Sequence, residues 1–223
     1  MKKIILALAL ALAFAINTNA QKNFEGIVTY AISFENSGLP PEALQMLKGA
    51  ESVVYIKGDK RRVDMNTAMQ STTSVMDSKS KTVLTTMDVM GQKYLIKMNE
   101  SDMKKEKETA PVTTIKYMDE TKEIAGYKCK KAEVTTKTKE GKEETIIVYY
   151  TEEIPSSDVK STFEGLKGMA LEYTISQGGV KMTFSTKTIV KEPVPDAKFE
   201  LAKEGYKETT LEELQKEMMG GGK

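Results

Sequence analysis

Apolar and polar residues alternate along much of this chain. In residues 24–35 the apolar side chains fall mainly on even positions, and most of the polar ones fall on odd positions. A period of two is typical of a β-strand that buries one face and leaves the other in water. Residues 93–98, 169–175 and 180–184 repeat the pattern. The sequence therefore predicts several strands that each turn one apolar face towards a core.

Short turn signals separate the predicted strands. The pairs at residues 58–59, 91–92 and 178–179 contain glycine, and residues 139–142 form a polar link. Links this short join antiparallel neighbours, whereas parallel strands need a long crossover connection. We expect about ten strands in one mainly antiparallel sheet.

Short helices are predicted between the strands. Residues 41–47 begin with proline, residues 155–167 have a helical composition, and residues 210–219 begin at Thr210, a favoured N-cap. Residues 99–108 form either a short capped helix or a solvated loop. A sheet of ten strands accumulates twist and curls. The expected fold class is mainly β (α+β): one curved antiparallel sheet, a half-barrel, with short helices against its concave face.

The first twenty residues have the three-part layout of a secretory signal peptide. A basic start precedes an apolar run at residues 4–16, and small residues end at Ala20. The run is shorter than the roughly 20 residues that a membrane span needs. We expect export to the periplasm or beyond, one curved-sheet domain over residues 21–219 without a transmembrane segment, and a flexible tail at residues 220–223.

Composition narrows the classes of function. The chain has no His and one Cys, which excludes imidazole bases, His-ligated metals and multi-thiolate zinc sites. Lys and Arg total 33 against 32 for Asp and Glu, a balance untypical of nucleic-acid binders. Adjacent carboxylates such as Glu152 and Glu153 point to opposite faces of a strand and form no acid/base pair. We expect no catalysis, cofactor, metal or nucleic-acid partner.

Cys129 is an odd thiol in a chain that is expected to be exported. It is either a small buried hydrophobe on a strand, the commoner role, or a reactive or dimerising thiol. Lys128, Lys130 and Lys131 flank it and would lower its pKa if the thiol were exposed.

Methionine is abundant, with 14 in the chain and many of them between residues 65 and 118. Methionine fills irregular apolar space and adapts to varied ligands. Ordinary core packing and a pliable apolar cavity both account for this abundance. Copper binding is a distant third reading, because no His or Cys supports the methionines.

Four strings carry a resemblance to a known family, and they follow one another in family order: FEGIVTY at residues 24–30, YIKGDKRR at 55–62, IAGYKCKK at 124–131 and VYYTEEI at 148–154. The chain resembles an uncharacterised family of exported bacterial domains, a domain of unknown function related to the LolA/LolB-like lipoprotein-carrier superfamily. That resemblance implies a curved antiparallel half-barrel whose helices plug the concave face. It also implies a role in holding acyl chains or other apolar groups between sheet and helices.

The leading hypothesis is a non-catalytic exported protein that binds a hydrophobic ligand (a lipid, an acyl chain or a lipoprotein) in the cavity of the curved sheet. The alternative is an envelope structural or protein-interaction module whose concave face is filled by helices near Leu44, Phe163 and Leu214. The residues predicted to face the cavity are Tyr30, Ile32, Phe34, Tyr94, Ile96, Tyr149, Leu171, Tyr173, Met182 and Phe184.

Overall fold

The computed structural model describes residues 24–34, 39–68, 70–89, 91–137, 141–156, 163–177, 180–210, 212–214 and 216. The predicted signal peptide at residues 1–20, the glycine pair at 178–179 and the predicted tail at 220–223 lie outside the described residues. Within the described ranges, no helix has the length and apolar character needed to span a bilayer.

Twelve strands of the described chain form one sheet, two more than the sequence predicts. The strands are Glu25–Ser33 (β1), Glu51–Lys57 (β2), Lys60–Asn66 (β3), Gln70–Asp77 (β4), Thr82–Val89 (β5), Gln92–Met98 (β6), Val112–Ile124 (β7), Tyr127–Lys137 (β8), Glu143–Thr151 (β9), Met169–Gln177 (β10), Val180–Val190 (β11) and Lys207–Thr209 (β12). Helices Pro41–Leu47 (α1) and Glu100–Thr109 (α2) and a 3-10 helix at Asp196–Phe199 lie between the strands.

The strand order is β12-β6-β5-β4-β3-β2-β1-β11-β10-β9-β8-β7. Strands β1 to β6 form one meander and β7 to β11 form another, and the antiparallel pairing of β1 with β11 joins the two. Only β12 pairs in parallel, with β6, among the described strands. The predicted fold class, one curved and mainly antiparallel sheet, is therefore confirmed.

The sheet bends strongly towards one face. Five strand spacings separate β3 from β9, or about 24 Å in a flat sheet. Nevertheless, Nη2 of Arg61 on β3 donates hydrogen bonds to the backbone oxygens of Pro155 and Ser156, just beyond the end of β9. The contact joins the two meanders across the face towards which the sheet curves. The face that carries Arg61 is therefore the concave one.

The alternation in β1 shows which residues of this strand and its neighbours point to the concave face. Its even positions are buried, Val28 and Tyr30 among them, as the sequence pattern predicts. Directly paired residues share a face, and Val28 pairs with Val54, which pairs with Val63. On the other side of β1, Ile32 pairs with Phe184. One apolar face thus continues across the seam between the two meanders.

The connection from β9 to β10 covers part of the concave face. We call its described residues, 152–156 and 163–168, the strap. The helix predicted over residues 155–167 is wrong for the described part, which forms turns and irregular backbone. Gly165 has a φ of +87°, a conformation that ends a right-handed helix. Phe163 and Leu166 of the strap are nevertheless buried against Val148 and Tyr150.

Helix α1 does not fill the concave face, contrary to the expectation for the helix near Leu44. None of its residues is buried, and Leu44 is 37% exposed. The backbone N–H of Ile32 bonds to the carbonyl of Ala50, so the loop that carries α1 closes at the ends of β1 and β2. A seven-residue helix in such a loop lies outside the sheet rather than across it.

The C-terminal part of the chain reaches both faces. After β11 it crosses the convex face, where Val194 and Phe199 pack against Val75. It then forms β12 beside β6 and turns back, so that Leu214 packs against Tyr94 and Ile96 on the concave face. Residues 212–214 and 216 are helical, as predicted.

A capping box starts this helix. The backbone N–H of Glu213 donates to Oγ1 of Thr210 at 3.1 Å, and the Glu213 carboxylate accepts from the Thr210 N–H at 3.1 Å. Thr210 is therefore the N-cap that the sequence predicts.

Gly26 allows the β1–β11 pairing to form. A Cβ at this position would collide with the backbone oxygen of Val190 on β11. We expect Gly26→Ala to lower the free energy of unfolding by about 2 kcal/mol or more, because a backbone atom has to shift. Urea unfolding followed by circular dichroism measures this.

The control for that substitution is Gly91→Ala in the β5–β6 turn. Gly91 has a φ of +86° and no atom within 4 Å of the added Cβ, so only backbone strain of about 1 kcal/mol is expected. Equal losses in the two variants would contradict the collision at Gly26.

Candidate functional site

A cleft of about 290 Å³ opens on the concave face. It lies between the strap and strands β1 to β4, β10 and β11. Its lining is mostly apolar and consists of Tyr30, Ser52, Val54, Arg61, Val63, Met65, Met76, Ser156, Phe163, Leu166, Gly168, Met169, Ala170, Tyr173 and Phe184.

Four aromatic side chains form the floor of the cleft. The rings of Tyr173 and Phe184 stack with centroids 4.8 Å apart. Phe163 of the strap meets Tyr173 edge-on at 4.7 Å, and Tyr30 lies edge-on to both Tyr173 and Phe184 at 6.4 Å. Such offset and edge-to-face pairs add to the stability that comes from burial alone. The floor is therefore a fixed, apolar platform.

The two tyrosines of the floor differ in their hydrogen bonding. The Tyr30 hydroxyl donates to the backbone oxygen of Ala170 at 2.7 Å. The Tyr173 hydroxyl, by contrast, makes no hydrogen bond to any described residue. Burial raises the pKa of both phenols well above the usual range, so both are neutral donors at physiological pH.

Arg61 places a positive charge at the cleft. The side chain is 8% exposed. Its guanidinium donates to the carbonyl of Ser156 at 2.9 Å and to that of Pro155. These bonds tie the strap to β3 and close one side of the cleft. A guanidinium has five N–H donors, so it is suited to several partners at once.

Methionines make up part of the cleft wall. Met65, Met76 and Met169 line it. Met87 and Met98 lie further along the same face, in the cluster around Leu214. A flexible thioether side chain adjusts to the shape of what it contacts. The wall is therefore more adaptable than the aromatic floor.

The structure brings three of the ten residues predicted from sequence together in the cleft: Tyr30, Tyr173 and Phe184. Ile32 and Leu171 are buried in the adjoining core, and Phe34 and Met182 pack against that core while partly exposed. These four residues support the cleft but do not line it.

Tyr94, Ile96 and Tyr149 lie elsewhere. Tyr94 and Ile96 are on the concave face, but they pack around Leu214 at the far end of the sheet. Tyr149 faces the convex side, where its hydroxyl donates to the Glu120 carboxylate. It belongs to an unbroken apolar run, and such a run does not show which residues face inwards. In the structure its neighbours Val148 and Tyr150 face the concave side.

The ten residues predicted to face the cavity include none from the strap or from β2 and β3, although the alternative hypothesis places a helix near Phe163 on the concave face. In the structure Ser52, Val54 and Ile56 are buried and alternate with half-buried neighbours, but residues 53–56 are an unbroken apolar run, so the sequence does not show which of them face inwards. No local pattern shows which side chains of this segment enter the cleft, because Phe163 and Leu166 follow a long connection.

A second, smaller depression of about 250 Å³ lies at the β-bulge of β7. Lys130 pairs with Glu152 there at 3.0 Å, and the Lys167 ammonium lies 4.6 Å from the centre of the Tyr117 ring. One ion pair and one cation–π contact therefore lie in this depression. Within the described residues no three His, Cys, Asp or Glu side chains come together as metal ligands would.

Cys129 is fully buried among core residues on β8. Its Sγ–H donates weakly to the Tyr127 carbonyl at 3.5 Å. Burial is the main cause that raises the pKa of the thiol to about 11. The structure therefore favours a small core hydrophobe over a reactive thiol.

Comparison with known proteins gives a fold but no family. No family model matches the chain, and no curated protein matches it. A structure of PNGF-II in space group P21 is similar with a TM-score of 0.54 and 17% identity, and covers 88% of this chain. A second PNGF-II structure, in space group C2, gives a TM-score of 0.50, 19% identity and 88% coverage of this chain.

The chain spans about a third of the length of PNGF-II, at 33% and 32% in the two structures. A β-barrel-like protein of the domain of unknown function DUF1849 from Brucella abortus is more distant, with a TM-score of 0.40 and 9% identity. The match covers 77% of this chain and 99% of that one. The likeness to PNGF-II shows that the same fold occurs there.

Because Cys129 is buried, we expect its thiol to react slowly with labelling reagents and the free energy of unfolding to depend on pH. We expect Ellman's reagent to label the thiol only after unfolding. The folded pKa is raised from an ordinary value of 9.0 to about 11. The thiol therefore contributes stability that is fully present below pH 9 and lost as the pH rises through about 11.

Cys129→Ala is the matched comparison for this pH effect. The variant should lose less stability between pH 9 and 11 than the parent chain, as measured by urea unfolding at each pH. Rapid labelling of the native parent chain would contradict the burial.

Proposed function

We propose that this chain is an exported, non-catalytic binding protein that holds a hydrophobic ligand in its concave cleft. The observation that carries the proposal is the cleft itself, with its aromatic floor and methionine wall. Its volume of about 290 Å³ is close to the lower bound of roughly 300 Å³ for sites of small organic ligands. A single acyl chain or a lipid of similar width suits such a space.

The binding would be non-covalent. Moving apolar surface out of water contributes about 25 cal/mol per Å², and loss of freedom on association offsets much of this. The preformed floor reduces the ordering cost, because the stacked rings of Tyr173 and Phe184 are already in place. We expect dissociation constants in the micromolar range.

The sequence supports the exported location and the class of ligand in this proposal. The signal-peptide layout of residues 1–20 supports delivery to the periplasm, where lipids and lipoproteins require carriers. The resemblance to LolA/LolB-like carriers supports a lipid, an acyl chain or a lipoprotein as cargo.

One observation favours the alternative, a structural or interaction module with a filled core. The strap already places Phe163 and Leu166 on the concave face, and Leu214 covers its far end. The remaining space is small for a ligand site. The ligand-binding hypothesis and the filled-core hypothesis predict different effects for one substitution in the cleft wall.

That substitution is Val63→Phe. Val63 is partly buried and lines the cleft. If the space serves a ligand, the larger ring occupies it, and affinity for a fluorescent fatty-acid probe should fall about ten-fold or more with unchanged stability. If the space is ordinary core, overpacking should lower the free energy of unfolding by about 1–3 kcal/mol. Fluorescence titration and urea unfolding measure the two effects.

The matched control is Ile147→Phe on β9. Ile147 is 41% exposed and pairs with Glu133 on the convex side, so neither probe affinity nor stability should change. Mass spectrometry of an organic extract of the purified protein should also show a co-purified lipid. An empty extract together with no probe binding would overturn the proposal.

A further inference from the structure

Two hydroxyl groups in the lining of the cleft make no hydrogen bond to the described chain. Ser52 on β2 is 5% exposed, and the Tyr173 ring on β10 packs between Phe163 and Phe184. Both residues line the cleft, and neither side-chain oxygen bonds to a described residue. Among the described residues, every side-chain nitrogen or oxygen that is shut off from solvent has a partner. The Ser52 and Tyr173 oxygens therefore reach the open space of the cleft.

The fold already uses two neighbouring hydroxyl groups. Tyr30 lies between the two unpaired hydroxyls in the strand order, and it donates to the Ala170 carbonyl at 2.7 Å. Thr186, which pairs with Tyr30 on β11, donates to the Leu171 carbonyl at 2.8 Å. A polar group without a partner in an apolar lining costs free energy. A ligand atom that accepts from the two remaining hydroxyls would recover it.

We infer that the cleft binds apolar ligands that carry a carbonyl oxygen, as in an ester or a ketone, and that the hydroxyls of Ser52 and Tyr173 donate to that oxygen. This inference rests on the proposed function and adds the polar group that the ligand presents. Each hydroxyl has one O–H to donate, and a carbonyl oxygen has two lone pairs to accept. The rest of the ligand would contact the aromatic floor and the methionine wall.

The affinity of a ketone relative to its hydrocarbon measures whether the cleft offers a donor. A carbonyl gives up its hydrogen bonds to water when it enters an apolar site. Without a partner there, a ketone should bind far more weakly than the hydrocarbon of the same shape, because the lost bonds are not replaced. With a hydroxyl donor in the site, the two should bind about equally. The contribution of apolar burial cancels from this ratio.

The test uses valerophenone and pentylbenzene, which differ by one carbonyl group in place of a methylene group. Each competes with the uncharged fluorescent probe N-phenylnaphthylamine for the full chain, at concentrations below its limit of solubility. We expect the two affinities for the parent chain to agree within about three-fold, because the hydroxyls replace the bonds to water.

Two substitutions remove single oxygen atoms and leave the rest of the lining in place. Ser52→Ala and Tyr173→Phe should each weaken valerophenone binding several-fold and leave pentylbenzene binding unchanged. Because neither hydroxyl bonds to the described chain, urea unfolding should show no loss of stability in either variant. The matched control is Tyr55→Phe, which removes a phenolic oxygen from the convex side of β2 and should change neither affinity.

The outcomes separate this inference from the proposed function. Valerophenone binding at least ten-fold weaker than pentylbenzene binding in the parent chain would overturn the carbonyl-binding role. An unchanged affinity ratio in both Ser52→Ala and Tyr173→Phe would overturn it too, as would a loss of stability without a loss of valerophenone binding. In these cases the probe still binds, and a hydrophobic-ligand protein remains. Failure of the parent chain to bind the probe or either competitor would overturn the proposed function itself.

Discussion

The pairing of β1 with β11 is the constraint on which the other features of this structure depend. It joins two meanders whose residues are far apart in sequence, and the floor of the cleft straddles that seam. Tyr30 comes from one meander and Tyr173 from the other, with Phe184 contacting both. A slip of one residue in this register would turn the apolar face of a strand into water. The β1–β11 pairing therefore joins the two halves of the sheet and also brings the floor residues of the candidate site together.

Curvature converts that continuous apolar face into an enclosed space. Arg61 on β3 and the end of β9 are five strand spacings apart along the sheet, yet the strap beyond β9 hydrogen-bonds to Arg61. The strap contributes Phe163 to the floor, and its carbonyls at Pro155 and Ser156 accept hydrogen bonds from the buried Arg61. The same contact thus closes one side of the cleft.

The two faces of the sheet have different physical roles. The convex face carries many Lys–Glu pairs, such as Lys122 with Glu172 at 2.7 Å. Exposed pairs of this kind contribute little stability each, and they keep a long sheet soluble. On β1 to β6, β10 and β11 the concave face collects aromatic and methionine side chains, and Arg61 is the one charged side chain of these strands that lines the cleft. A binding role for the concave face agrees with this division.

The sequence by itself determined the antiparallel sheet, the strand phase of β1 and the N-cap at Thr210, because these follow from local alternation, short turns and capping chemistry. It also identified Tyr30, Tyr173 and Phe184, which lie in clearly alternating strands. Only the tertiary structure decided that Tyr149 faces outwards, that Tyr94 lies in another cluster, and that Arg61 meets the strap. Those facts depend on register and curvature between segments distant in sequence, and no local pattern encodes a distance across a folded sheet.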